Sequence, residues 1–294
     1  MQNTQKAGQT PSLSFEYFPP ANPEAAQRLW RTVNRLNPLG PEFVSVTYGA
    51  GGTTQDRTID ALKTMTNLVG CDVAGHLTCV GASRAETLAV AQEYKRIGVK
   101  RIVALRGDAP KGQDHFTPHP DGFRNAAELV AGLSELGDFK ISVGAYPEKH
   151  PDAPDFASDI ENLKRKLDAG ATNAISQFFF DNDTFYRFRD ACAAAGITKP
   201  IFPGILPIEK FAGMVRFAKM CQATVPAWLH EAFEGFETPE DSEKLAVELC
   251  TKQSQDLLDN GEDHLHFYTL NNPVLTYEVC RGLGFTELPV ANAC

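Results

Sequence analysis

The stretch SLSFEYF, residues 12–18, alternates small or polar residues with large apolar ones. Such alternation is typical of a β-strand whose two faces meet different surroundings. Leu13, Phe15 and Tyr17 form the apolar face, which we expect to pack against helices, so Glu16 points to the opposite side. Seven further β-like runs follow the first predicted strand, residues 13–18, with helical stretches between them: residues 43–48, 73–79, 101–105, 141–146, 174–180, 201–204 and 265–270.

This alternation of strands and helices predicts an α/β fold, a (β/α)8 TIM barrel in a single domain. The stripe of Leu29, Val33 and Leu36 repeats at three or four residues, as the buried face of a helix does. Two helices are expected in the long interval before the last strand, at residues 210–220 and roughly 240–258. No linker divides the chain, so we expect a disordered tail over residues 1–11 and one domain over 12–294. A doubly wound parallel sheet is the alternative architecture.

The composition limits the classes of partner. The chain of 294 residues is 43% hydrophobic and carries a formal net charge of −9, which disfavours binding to nucleic acid or anionic membranes. The polar start lacks the apolar core of a signal peptide, and no run of about 20 apolar residues could span a bilayer. The 7 cysteines are scattered without a C-x-x-C pair, which argues against a zinc cluster. We therefore expect a cytoplasmic protein with reduced thiols and no metal.

Polar residues near the ends of the first three strands are the first candidates for a site, since barrel active sites form where strands end. Glu16 is a candidate general acid whose pKa we expect burial to raise; the alternative is a pair with a neighbouring arginine. Thr47 also points inward and precedes the turn YGAGG at 48–52, which suits close approach of a ligand but is a weak phosphate signal. His76, on the third strand, is more often a hydrogen-bonded core residue than a metal ligand.

Later strand ends add further candidates. Arg106, Gly107 and Asp108 form either a grip on a charged ligand or a salt-bridged loop. Gln177 precedes three phenylalanines and needs a polar partner if they are buried. Phe217 lies off the apolar stripe of its predicted helix, so it lies over a ligand or packs against the next helix or a partner subunit.

In chain order, these motifs resemble the signatures of methylenetetrahydrofolate reductases. The resemblance extends from about residue 12 to residue 284, and its eight motifs are SFEYFPP (14–20), SVTYGAGG (45–52), HLTC (76–79), LRGD (105–108), YPEKHP (146–151), SQFFFD (176–181), PGILP (203–207) and HFYTLN (266–271).

The resemblance implies a TIM barrel that binds FAD without a G-x-G-x-x-G motif. It implies reduction of 5,10-methylenetetrahydrofolate to 5-methyltetrahydrofolate through the flavin, with NADH or NADPH as electron donor and Glu16 as general acid. Asp108 is the second implied catalytic residue, and the family usually forms homo-oligomers. The implied flavin-binding residues are Thr47, Tyr48, Ala50, His76, Arg106, Gly107, Asp108, Ala126, Tyr146, His150, Asp159, Asn162, Arg165 and Lys166. The implied substrate-binding residues are Glu16, Thr47, Asp108, Gln177 and Phe217.

The chain departs from the family pattern at several positions. Asn272 stands where the family usually has arginine, and Gly213 where bacterial relatives carry glutamine; both positions serve the glutamate tail of folate or the dinucleotide. The segment 111–124 is longer than expected, and Asn125 replaces an aromatic residue beside the flavin. A flavin-independent reductase of the same family and a catalytically silent folate-binding subunit are the alternative functions.

Overall fold

The computed structural model describes residues 11–49, 55–108, 112, 116–137, 139–235 and 238–288. The predicted tail therefore lies outside the described residues, apart from residue 11. The described strands are β1 (Ser12–Tyr17), β2 (Phe43–Val46), β3 (Asp72–Thr78), β4 (Arg101–Leu105), β5 (Lys140–Ala145), β6 (Asn173–Ser176), β7 (Ile201–Phe202), β8 (Gly204–Ile205) and β9 (His264–Tyr268).

The described helices cover the outside of these strands. They are α1 (Pro23–Leu36), α2 (Gln55–Leu68), α3 (Arg84–Arg96), α4 (Ala126–Glu135), α5 (Phe156–Asp168), α6 (Asn182–Ala194), α7 (Phe211–Cys221), α8 (Ala227–Phe233), α9 (Pro239–Asp259) and α10 (Leu275–Gly282). A short 3₁₀ helix, Asn37–Leu39, follows α1.

The strands form one parallel sheet in the order β7-β6-β5-β4-β3-β2-β1-β9-β8. Since β7 and β8 are separated only by Pro203, the sheet curls into a nearly closed barrel. The predicted α/β TIM barrel in a single domain is confirmed. The seventh predicted strand is two short strands, because Pro203 has no N–H to donate to a neighbour. Its carbonyl still accepts the backbone N–H of His266 at 3.0 Å.

One strand end and one helix differ most from the sequence prediction. β6 ends at Ser176, whereas the predicted strand continued through the three phenylalanines to residue 180. The interval before β9 holds a third helix, α8, whose seven residues follow Pro226 and are too few to show a clear helical stripe.

The two faces of β1 meet the surroundings that its alternation predicts. Leu13, Phe15 and Tyr17 are at most 1% exposed and belong to the layer between strands and helices. The interior of the barrel holds a smaller apolar cluster of Phe43, Ala74, Val103 and Ile175. The remainder of the interior is largely polar, and the site is built from those polar side chains.

Three absences hold for the described ranges. No helix there is long and apolar enough to cross a membrane. No group of three histidine, cysteine or acidic side chains there could hold a metal ion. The six described cysteines are free thiols.

Candidate active site

Glu16 lies inside the barrel between two histidines from different strands. Its Oε2 is 3.2 Å from Nε2 of His76 on β3 and 3.8 Å from Nε2 of His266 on β9. The side chains of the two histidines are 8% and 0% exposed, and that of Glu16 is 13% exposed. Both Nε2 atoms are buried and have no hydrogen-bond partner in the described structure. The carboxylate therefore lies within ion-pair distance of two imidazole nitrogens that have no other partner among the described residues.

The expectation that the pKa of Glu16 is raised is wrong, because of this environment. Burial alone raises it, but the charges and contacts of His76 and His266 outweigh burial and lower the pKa of Glu16 to about 2. The partners are histidines rather than the arginine that the alternative prediction named. Burial likewise lowers the pKa of His266, against the opposing effect of Glu16.

Sequence reasoning missed the histidines of β9. His264, His266 and Tyr268 alternate along the strand, and the two histidines lie in the barrel interior at 2% and 0% exposure. Oγ of Ser14 on β1 lies 2.7 Å from Nε2 of His264 and 2.7 Å from Nδ1 of His266. The period of two in HLHFY is the signal that could have identified them.

A second group of polar side chains follows β4 and β5. Arg106 forms an ion pair with Asp152 at 2.7 Å rather than with Asp108. The backbone N–H of His150 donates to Asp159 at 2.7 Å, and the ring of Tyr146 meets that of His150 edge-on at 4.6 Å. These residues lie together after β4 and β5.

Lys166 completes this group from α5. Its buried Nζ donates to the carbonyl of Gly144 at 2.6 Å, and burial lowers the pKa of Lys166 to about 8, although Asp159 opposes the shift. With 3.6 residues per turn, Asp159, Asn162 and Lys166 share one helix face, and Arg165 lies at its edge, exposed. The cationic side chains suit a ligand that carries phosphates.

An aromatic group borders the other side of the mouth. The ring of Phe217 on α7 stacks on Phe178, in the segment after β6, with centroids 5.4 Å apart, and it packs against a cluster that includes Leu229 of the next helix. The side chain of Gln177 accepts the N–H of Phe178 at 3.0 Å, which supplies its polar partner. The phenolic O–H of Tyr268 donates to the carbonyl of Ser176 at 2.6 Å.

The other predicted site residues have local structural roles. The N–H of Thr47 donates to the carbonyl of Tyr17, and Tyr48 donates to Gln55 at 3.1 Å. Gly107 has φ +89°, and an added Cβ would come within 2.6 Å of Val80, so the turn requires glycine. Ala126 is the first residue of α4. Ala50 lies outside the described residues.

A family model described as methylenetetrahydrofolate reductase matches residues 1–284. The chain belongs to this family. It is 44% identical over 274 residues to the 5,10-methylenetetrahydrofolate reductase of Pectobacterium carotovorum subsp. carotovorum, covering 93% of this chain and 90% of that one. The enzyme of the same name from Escherichia coli (strain K12) is 43% identical with the same coverage.

A solved protein from Clostridium thermocellum supports the architecture. That protein, described as binding two copies of 5-methyl-5,6,7,8-tetrahydrofolic acid, matches with a TM-score of 0.61 at 13% identity. The match covers 93% of this chain and 94% of that one. At this identity the likeness concerns the fold alone.

The departures from the methylenetetrahydrofolate reductase pattern have local explanations. Oδ1 of Asn272 accepts the N–H groups of Val274 and Leu275 at 2.8 and 3.2 Å, so it holds the turn that leads into α10. Asn125 is the N-cap of α4, accepting from the N–H of Glu128. Within the segment 111–124, which is longer than expected for the family, the ring of Phe116 lies 4.8 Å from the guanidinium of Arg106.

The residues present fit FAD. Buried Oγ1 of Thr78, on β3 near the mouth, lacks a hydrogen-bond partner in the described structure. Arg106, just after β4, and Lys166, on α5, are the cations of this mouth and could neutralise a pyrophosphate. Polar atoms left without partners inside a barrel are costly, and a bound heterocycle with many acceptors would satisfy them.

Proposed function

We propose that this protein reduces 5,10-methylenetetrahydrofolate to 5-methyltetrahydrofolate with NADH or NADPH as electron donor and FAD as cofactor. The observation that carries the proposal is Glu16, held inside the barrel mouth by His76 and His266 in a chain of this family. The net reduction consumes one proton and one hydride for each molecule of folate. An acid beside the folate is therefore required.

The proposed cofactor is held by the polar group after β4 and β5. Arg106 and Lys166 would neutralise its phosphates. The residues that would hold its ribose, adenine and ring portions are His150, Asp159, Asn162, Arg165 and Tyr146. Bound FAD supplies a hydride carrier between the nicotinamide and the folate. Residues Thr47, Tyr48, Ala50, His76, Gly107 and Ala126 complete the proposed cofactor site.

The proposed role of Glu16 is to give a proton to the methylene bridge as it opens to an iminium. With the mouth open, the pKa of Glu16 is about 2 and the carboxylate is ionised. When a pterin covers the mouth, water is excluded and the penalty for the ionised form grows, so the pKa rises. Glu16 then holds the proton at the point where folate accepts it.

The folate is oriented by the remaining side chains of the mouth. Gln177 offers an amide to the pterin or to the nicotinamide amide, and Phe217 stacks on the bound ring in place of its contact with Phe178. Asp108 hydrogen-bonds the pterin and stabilises cationic character on the opening folate. Thr47 completes the proposed contacts with substrate.

The purified full chain tests this proposal by two measurements. We expect the blue-region absorption of a flavin and the formation of 5-methyltetrahydrofolate from NADH or NADPH. Folate reduction without flavin absorption would favour the flavin-independent reductase. Folate binding without turnover, in protein that carries flavin, would favour the silent subunit.

A further inference from the structure

A continuous column of polar side chains crosses the inside of the barrel, from Glu16 to the opposite mouth. We name it the polar column: Ser12, His264, Ser14, His266 and Glu16. Oγ of Ser12 is 2.6 Å from Nδ1 of His264, whose Nε2 is 2.7 Å from Oγ of Ser14. Oγ of Ser14 is also 2.7 Å from Nδ1 of His266, whose Nε2 faces Glu16 at 3.8 Å. Hydrogen-bond distances thus join Ser12 to His266, and the last step, from His266 to Glu16, is an ion-pair distance.

The far end of the polar column reaches solvent through Glu42. Ser12 and His264 begin β1 and β9, so they lie at the amino-terminal mouth, away from the proposed folate site. Nδ1 of His264 lies 3.6 Å from the carboxylate of Glu42, whose side chain is 42% exposed. Arg101 binds the same carboxylate and also Asp72 at 3.1 Å, which holds Glu42 at the barrel end.

The two imidazoles of the column are held in fixed planes. The ring of Phe43 stacks on His264 with centroids 5.8 Å apart and on His266 at 5.9 Å. Burying two histidines and a serine in a barrel interior costs free energy unless they bond one another. Packing alone would be served by apolar side chains there, so this arrangement indicates a role for the polar atoms.

We propose that the polar column delivers the proton to Glu16 from the amino-terminal mouth while folate covers the other mouth. The proposal rests on the proposed function, because it supplies the acid of that reaction. It assigns Ser14 and His264 as positioning residues that act through His266, and it makes Glu42 the group that exchanges protons with solvent.

The transfers balance along the column. His266 gives its Nε2 proton to Glu16 and takes the hydroxyl proton of Ser14 at Nδ1. Ser14 takes the Nε2 proton of His264, and His264 takes a proton at Nδ1, where Glu42 lies 3.6 Å away and brings it from solvent beside the hydroxyl of Ser12. One proton enters and one reaches Glu16. After product leaves, the open mouth lets water exchange protons with Glu16 and His266, and the column returns to its first arrangement.

The test compares Ser14→Ala and His264→Gln with Ser45→Ala in the full-length holoenzyme. Ser45 is a matched control, because its buried hydroxyl lies beside Glu16 in the strand register but bonds no partner in the described structure. We expect both column variants to slow folate reduction by about 10- to 100-fold. In both column variants the rate of flavin reduction by NAD(P)H and the amount of bound FAD should be unchanged. In Ser45→Ala the rate of folate reduction should also be unchanged.

The solvent isotope effect on folate reduction distinguishes a proton path from a structural role. In the unsubstituted protein we expect the rate of folate reduction to follow a curve when it is plotted against the deuterium fraction of the solvent, because several protons move. In Ser14→Ala we expect the same plot to be linear. Column variants as fast as Ser45→Ala, or slowed equally in both half-reactions, would overturn the proposal. A failure of the proposed function gives a different result. The unsubstituted protein would then not reduce folate, or Glu16→Gln would reduce it at the unsubstituted rate.

Discussion

Nε2 of His76 lies 3.2 Å from Oε2 of Glu16, inside the barrel and nearly out of contact with solvent. This pair joins β1 to β3 across β2 and makes the ionised carboxylate the stable form when the mouth is open. An acid that is ionised at rest must gain its proton after substrate binds. The contact between Glu16 and His76 therefore bears on the pH dependence of stability and on the proposed proton transfer.

Acid stability should depend on Glu16. Its pKa is about 2 in the folded protein against an ordinary value of 4.5, so its ionised form stabilises the fold above about pH 4.5. That contribution is lost as pH falls from 4.5 towards 2. We expect Glu16→Gln to flatten the pH dependence of unfolding in this window, by roughly 1–3 kcal/mol, in urea titrations of the apoprotein. Glu161→Gln, at an exposed position on α5, is the control and should leave the slope unchanged.

Two glycines should respond oppositely to alanine. A Cβ at Gly213 on α7 would lie 3.8 Å from the nearest atom, in ordinary contact, so Gly213→Ala should stabilise the fold by about 0.5–1 kcal/mol. A Cβ at Gly204 would lie 2.2 Å from the carbonyl oxygen of Ser176, so Gly204→Ala should destabilise it. Thermal unfolding of both variants tests this, and a lower midpoint for Gly213→Ala would contradict it.

Asn272→Arg should have two separable effects. The restored cation should lower the apparent KM for folate, with a gain of about 1.5–3 kcal/mol at most for one charge-assisted hydrogen bond. The loss of the hydrogen bonds that Asn272 accepts in the turn before α10 should lower stability by about 1 kcal/mol. Steady-state kinetics and thermal unfolding measure the two effects separately. An unchanged KM would mean that another basic residue already holds the glutamate tail.

Asp108→Asn should separate electronic from structural roles. The carboxylate faces Tyr146 and helps to raise the pKa of that phenol, after burial. Removing its charge should raise the reduction potential of bound flavin and slow folate reduction more than flavin reduction. Stopped-flow rates at known FAD occupancy provide the measurement. Equal slowing of both steps at full occupancy would contradict this role.

The sequence predicted the fold through local patterns. Alternation on β1 placed Leu13 and Phe15 outside and Glu16 inside, because a strand has two faces whatever its partners are. The charge state of Glu16 could not be predicted, since His76 and His266 approach it only when β1, β3 and β9 lie in one barrel. The sequence also did not reveal that Asn272 accepts hydrogen bonds in the turn before α10. Such contacts depend on tertiary geometry.

The most direct test of the account is the pair of half-reactions in Glu16→Gln, followed by flavin absorbance in a stopped-flow instrument. The amide keeps the size and polarity of the side chain but cannot donate an acidic proton. We expect NAD(P)H to reduce the flavin at the unsubstituted rate, while folate reduction falls by about 10²- to 10⁴-fold. Folate reduction at the unsubstituted rate, or equal loss of both half-reactions, would contradict the assignment of Glu16 as the acid.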